Sequence, residues 1–178
     1  GERFDVVVSA GGGAVGAALI AGCLGAAGAL PEVRRWCIVT GPNLPPEKLG
    51  QFQAAARPGV EIFRFRRDFA ALLGSAELSI SQAGYNTVCD ILGAGCRALL
   101  VPFASGGETE QTRRANRLAE LGLASVLTEQ ELSSATMTKA IRQALSGPKP
   151  PPATLQLDGA SRSAAILVDL ENRRRNPN

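Results

Sequence analysis

Apolar runs of strand length alternate with helix-length segments from Phe4 to Leu145. The runs Phe4–Ser9 (FDVVVS), Trp36–Thr40 (WCIVT), Val60–Phe65 (VEIFRF), Leu78–Ser81, Ala98–Val101 and Ala124–Leu127 are short, apolar and bounded by turn residues, which predicts strands. A glycine-rich turn, Gly11–Gly16, follows the first, and a small-residue helix runs from it to about Ala29. Further helices are expected over Pro46–Ala56, with proline in its first turn, over FAALLGSA with Asp68 as its cap, and over YNTVCDILGAG after Gly84. The next runs from about Glu108 to Leu121 and is stopped by Gly122; the last of this series is Leu132–Leu145, capped by Ser133 or Ser134. The first and fifth strands are nearly continuous apolar runs, as strands buried on both faces are. Repeated strand–helix order with such strands predicts an α/β domain, a parallel six-stranded sheet between two helical layers.

Beyond Leu145 the pattern changes. Residues 147–158 open with GPKPPPA and read as a proline-rich stiff linker, and 159–178 as a terminal helix and tail, leaving 1–146 as the main domain. Arg173–Arg175 read as a solvated helix end favoured by the C-terminal dipole, with contact to an acidic membrane surface as the second reading.

Composition narrows the chemistry. With 45% hydrophobic and 20% charged residues in 178, the chain is globular rather than disordered. A net charge of +3 and 4% aromatic residues argue against nucleic acid as a partner. No apolar run is long enough for a membrane span, and the charged start GERFD is no signal peptide. Cys23, Cys37, Cys89 and Cys96 form no C-x-x-C pair and read as buried thiols of a reducing compartment. There is no histidine, so Ser-His-Asp and Cys-His catalysis are excluded within the chain, and a zinc site is not expected. Any general base is an Asp or Glu here, or lies on another domain. A strand beginning at about residue 4 leads us to expect a domain of a longer chain.

Ligands of open parallel sheets bind at the carboxyl ends of the strands, so the strand-to-helix turns are the candidate sites. Gly11, Gly13 and Gly16 fit G-x-G-x-x-G between a strand and a helix, a phosphate-binding arrangement or simply a tight turn. The second strand ends Thr40-Gly41-Pro42 without the acid that would hold a dinucleotide's ribose, and there is no Walker lysine, so a nicotinamide, flavin or P-loop reading is weak. The backbone of Phe65–Asp68 suits the edge of a base. In Ser81-Gln82-Ala83-Gly84-Tyr85-Asn86-Thr87, Gly84 brings another helix N-terminus forward, and Asp90 stands four residues beyond Asn86 on the same face, where it can accept from ribose hydroxyls or be a solvated acid. In PFASGGETEQ, Glu108, Glu110 and Gln111 crowd a helix start, either for its dipole or for a hydroxyl-rich ligand. Gly41-Pro42-Asn43 is explained by turn chemistry alone. Together these features describe a nucleotide-sugar site.

The segment SISQAGYNTVCDILGAGCRALLVPFASGGETEQTRRANRLAELGLASVL resembles the C-terminal, donor-binding domain of family 28 glycosyltransferases, and more narrowly the predicted bacterial members related to the peptidoglycan N-acetylglucosaminyltransferase. The resemblance implies the C-terminal half of a GT-B fold, Rossmann-like, binding a UDP-sugar or other nucleotide-sugar for transfer to an acceptor hydroxyl. It places Gly12 and Gly13 near the diphosphate, the Arg66 backbone at the uracil edge, and Gly84, Tyr85, Asn86 and Thr87 at the helix start facing the phosphates. Asp90 stands where the family has a ribose-binding Glu, and Glu110-Gln111 where it has a Gln-Gln pair holding sugar hydroxyls. It further implies an acceptor domain carrying the base on the N-terminal side, an inactive isolated domain, no metal and no cofactor, and a cytoplasmic protein with peripheral contact to the inner membrane. Two readings compete: a nucleotide-sugar epimerase using Asp90, Glu108 or Glu110, and a non-catalytic donor-binding subunit with a separate acceptor-domain partner.

Overall fold

The computed structural model describes residues 1–11, 13–104 and 109–153. Its strands are β1 (Val6–Ser9), β2 (Trp36–Val39), β3 (Val60–Phe63), β4 (Leu78–Ser81), β5 (Arg97–Leu100) and β6 (Ser125–Val126). They form one sheet in the order β3-β2-β1-β4-β5-β6, every pairing parallel, with Val6 opposite both Trp36 and Leu78. The helices are α1 (Gly13–Ala29), α2 (Pro46–Ala55), α3 (Phe69–Ser75), α4 (Tyr85–Ala94), α5 (Glu110–Glu120) and α6 (Ser134–Ser146). This is the predicted three-layer α/β/α arrangement.

Alternation along the strands builds two cores. Val6, Val8, Ile38, Ile80 and Leu99 pack with α1, α2 and α6 on one face, while Val7, Cys37, Ala98 and Leu100 pack with α3, α4 and α5 on the other. Each fully buried Val, Leu or Ile contributes about 1.5–3 kcal/mol of transfer free energy. Trp36 is fully buried, and its indole N–H donates to the Val33 carbonyl oxygen at 3.0 Å. All four cysteines are buried free thiols, as expected, and burial raises the pKa of Cys23 to about 12 and of Cys37 and Cys96 to about 11.

Helix α1 is apolar all round and packs against the sheet and α6, with only small residues, Ala18, Ala21, Gly28 and Ala29, exposed among its described residues. Its small residues set the distance: a Cβ at Gly25 would lie 1.9 Å from the Ser134 hydroxyl. Helix α6 starts at Ser133, whose hydroxyl accepts from the Thr136 N–H at 3.1 Å while Thr136 Oγ1 accepts from the Ser133 N–H at 3.0 Å. Gly122, at φ +72°, follows the end of α5 as predicted.

Several boundaries differ from expectation. Helix α1 begins at Gly13, inside what reads as an extended glycine turn. Strand β1 starts at Val6, although the Asp5 backbone still donates to the Arg35 oxygen at 2.8 Å and accepts from the Glu77 N–H at 2.9 Å; its carboxylate accepts from the Arg34 and Arg35 N–H groups at 2.8 and 2.9 Å. Strand β3 ends at Phe63, and α5 has Thr109 as its cap. Asp68 precedes α3 but its side chain makes no capping bond. Its two carboxylate oxygens instead accept from Arg66 Nε and Nη2 at 2.9 and 2.8 Å, a bidentate pair stronger than a neutral cap bond. That pairing holds the Asp68 carboxyl below the usual carboxylate range.

The start of the proline-rich stretch is laid onto the domain. Arg97 Nε donates to the Gly147 oxygen, Lys149 Nζ to the Ala76 oxygen, and the Ala153 N–H to the Leu92 oxygen at 2.9 Å. Gly95, at φ +63°, closes α4 in the left-handed region, and a Cβ there would lie 2.7 Å from Pro152 N. The expected terminal helix lies outside the described residues. No helix among the described residues is long and apolar enough to cross a membrane.

Candidate functional site

In the strand order 3-2-1-4-5-6 the chain leaves β1 and β4 for opposite faces of the sheet, which opens a crevice at their carboxyl ends. Two turns form its walls. The β1–α1 turn carries Gly11, exposed, and leads into α1 at Gly13. Gly11 and Gly16 meet neighbours within the chain. A Cβ on Gly16 would lie 1.6 Å from the Gly11 carbonyl oxygen, and one on Gly11 2.7 Å from Gln82 Oε1. Gly16 therefore lets helix α1 sit against its own turn, and its contribution to a ligand is indirect. Gly12 lies outside the described residues.

The opposite wall is the β4–α4 turn. Gly84 is the N-cap of α4, at φ −64° and ψ 143°, and no side chain caps the helix. A Cβ on Gly84 would meet nothing within 4 Å among the described residues. Among them, neither backbone strain nor packing demands glycine there. No side chain among the described residues caps the helix, so the partial positive charge of its first turn is left uncapped by them. Asn86 and Asp90 are exposed on the same face, and Thr87 is half-buried.

Sequence reasoning passed over two residues of this wall. Gln82 fills the space between the turns, and its Nε2 is buried with no hydrogen-bond partner among the described residues. Arg114, from α5, donates through Nη1 to the Ala83 carbonyl oxygen at 2.5 Å, and its guanidinium lies 5.6 Å from the Tyr85 ring centroid. Gln82 stands inside the motif SQAG and was within reach of the sequence. The Arg114 contact spans 31 positions and left no local signal.

At the end of β3 the Arg66 side chain is committed elsewhere. It is bound by Asp68 and, at 2.7 Å, by Glu2, and lies over the Phe63 ring at 4.8 Å. Only its backbone is left for a ligand, which is the role expected of it. Next to it, Phe65 is 72% exposed, the one exposed large hydrophobic side chain among the described residues. An exposed ring beside a base-edge strand offers a stacking face.

At the end of β5, Gln111 and Glu129 staple the loop that precedes α5. Gln111 Oε1 accepts from the Phe103 N–H at 2.9 Å and Glu129 Oε1 from the Ala104 N–H at 2.6 Å. Gln111 thereby keeps its amide N–H groups and one acceptor site of Oε1 for other partners. Glu110 is exposed in the first turn of α5. Glu108 lies outside the described residues. Gly41, at φ +77°, and Pro42, whose carbonyl accepts from Arg64, form an ordinary turn after β2.

With this geometry in place, comparison with known proteins is informative. Residues 6–165 match the family model described as "Glycosyltransferase family 28 C-terminal domain". Two UDP-N-acetylglucosamine–N-acetylmuramyl-(pentapeptide) pyrophosphoryl-undecaprenol N-acetylglucosamine transferases are similar in sequence. That of Phenylobacterium zucineum is 36% identical over 142 residues, covering 78% of this chain and 38% of the relative. That of Agrobacterium fabrum is 31% identical over 177 residues, covering 96% of this chain and 46% of the relative. This chain thus spans less than half of either. Among solved structures, Acinetobacter baumannii MurG superposes with a TM-score of 0.67 at 19% identity, over 96% of this chain and 50% of its own. The calicheamicin glycosyltransferase CalG4 superposes at 0.64 and 21% identity, over 95% and 38%.

Proposed function

The chain belongs to the glycosyltransferase family 28 C-terminal domains, and from that premise we propose that it binds a nucleotide-diphospho-sugar, a UDP-sugar, in the crevice between the β1–α1 and β4–α4 turns. The observation that carries this reading is the buried Gln82 Nε2, without a hydrogen-bond partner among the described residues, between a glycine turn and a helix N-terminus with no side-chain cap. Leaving a buried donor unpaired costs about 1–3 kcal/mol, and an anionic ligand seated between the turns offsets that cost. The relatives named above use UDP-N-acetylglucosamine by name, which favours UDP as the nucleotide.

In this reading the N-termini of α1 and α4 hold the diphosphate. Their fixed N–H dipoles stabilise the negative charge that grows on the diphosphate as the glycosidic C–O bond breaks, without reorganisation at that moment. Asp90 accepts from the ribose hydroxyls, the backbone at Arg66 meets the base edge with Phe65 against its face, and Glu110 with the Gln111 amide meets the sugar. The acceptor hydroxyl and the group that takes its proton belong to the remainder of the enzyme, and transfer needs both parts. Because helix termini supply the positive field, binding proceeds without magnesium.

The test is calorimetry of the chain with UDP, UDP-N-acetylglucosamine, dTDP, GDP and NADH, each with and without magnesium. UDP and its sugar are expected to bind and the others to bind more weakly. A ligand at 100 times its Kd raises stability by about 2.7 kcal/mol, read as a rise in Tm. Binding of NADH without UDP overturns the reading.

A further inference from the structure

Arg114 sits behind the crevice, on the far side of the β4–α4 turn. Its guanidinium donates to the Ala83 carbonyl oxygen and stacks on Tyr85, and so grips the residues on both sides of Gly84. The peptide between Ala83 and Gly84 is trans, since the described chain contains no cis bond. In a trans peptide the carbonyl and the following N–H point in opposite directions. Holding the Ala83 oxygen towards α5 therefore aims the Gly84 N–H away from α5. That N–H donates no hydrogen bond among the described residues. A cationic donor on the carbonyl also polarises the peptide, which strengthens the N–H at its other end.

We propose that Arg114 is a positioning residue of the donor site: without touching the ligand, it fixes the Ala83–Gly84 peptide so that the Gly84 N–H faces, and binds more tightly, the diphosphate. The proposal rests on the donor-binding reading above. It predicts an effect on the phosphates and none on the base, because the uridine end lies at β3. It also separates Arg114 from Arg113, its exposed neighbour, which makes no such contact.

Arg114→Met keeps the stem that covers Tyr85 and removes the charge. Calorimetry with UDP and with uridine reads the result. In the variant, UDP affinity is expected to fall about tenfold, the size of one lost charge-assisted contact, while uridine affinity stays as in the wild type. Arg114→Lys, which keeps a cationic donor, recovers most of the loss, and Arg113→Met changes neither. Equal losses for UDP and uridine, or no loss for either, overturn the proposal. A ligand-free reading keeps it separate from the site assignment: the Gly84 amide resonance should move in Arg114→Met and stay in place in Arg113→Met, while Tm shifts little. If the wild type binds neither probe, the donor-binding reading fails, and an unmoved Gly84 amide resonance in Arg114→Met then overturns the clamp as well.

Discussion

The two walls of the crevice use glycine for opposite reasons. In the β1–α1 turn, Gly16 is required by the chain itself, since a Cβ there would lie 1.6 Å from a backbone oxygen. In the β4–α4 turn, Gly84 is required by nothing among the described residues; its φ is ordinary and a Cβ would meet none of them within 4 Å. The first glycine serves folding, and the second is left free for the role proposed above. A motif read only as letters treats them alike, although only one is fixed by the packing around it.

Three substitutions break or sharpen this contrast, in order of expected effect. Gly16→Ala should be the most damaging. The carbonyl it meets cannot swing away, so a loss of about 3 kcal/mol or more is expected in urea unfolding, the upper end of overpacking costs. A stable Gly16→Ala variant would show that the turn adapts and remove the contrast. Gly84→Ala should leave stability within about 1 kcal/mol of wild type, the cost of a poorer N-cap residue. Its UDP affinity should nevertheless fall by about tenfold or more, since each lost 1.4 kcal/mol of binding is a factor of ten. Unchanged UDP binding would take Gly84 out of the site.

The smallest effect is expected at the β3 end, where Arg66 and Asp68 are committed to each other as Gly16 is to its turn. The folded Asp68 carboxyl titrates lower than an unfolded one. Its contribution is therefore present above the unfolded pKa, about 3.9, and is lost as pH falls through the folded value. Asp68→Asn should lower Tm slightly at pH 7, with the difference from wild type closing as pH falls through the folded value. A difference that does not shrink on acidification would mean that the side chain acts through packing rather than charge.

Much of the fold was legible because its signals are local. Alternating apolar runs and the glycine and proline punctuation between them gave the strand order of the chain and the buried character of β1 and β5. Boundaries were less legible wherever a side chain chose a distant partner over a near one. Asp68 has the residue type and position of a helix cap, yet Arg66 draws its carboxylate away. Asp5, read as part of the first strand, lies just before it and turns its carboxylate to the backbone N–H groups of Arg34 and Arg35. Of the candidate site residues, the glycines, Asp90 and Glu110-Gln111 announce themselves through turn chemistry. Gln82 and Arg114 do not: one stands out by an amide without a partner among the described residues, the other by a contact between elements that are neighbours only after folding.

The strap from Gly147 to Ala153 gives α4 a second attachment. The near end of this helix, at Gly84, faces the crevice; the far end, at Leu92 and Gly95, is gripped by the backbone of Ala153 and by Pro152. Ten residues of helix separate the two, about 15 Å at 1.5 Å per residue. The helix is therefore a short rigid rod whose outer end is tied to the point from which the polypeptide continues. Tension applied at residue 153 is carried along that rod to the edge of the crevice, so the tether and the binding surface share one mechanical element.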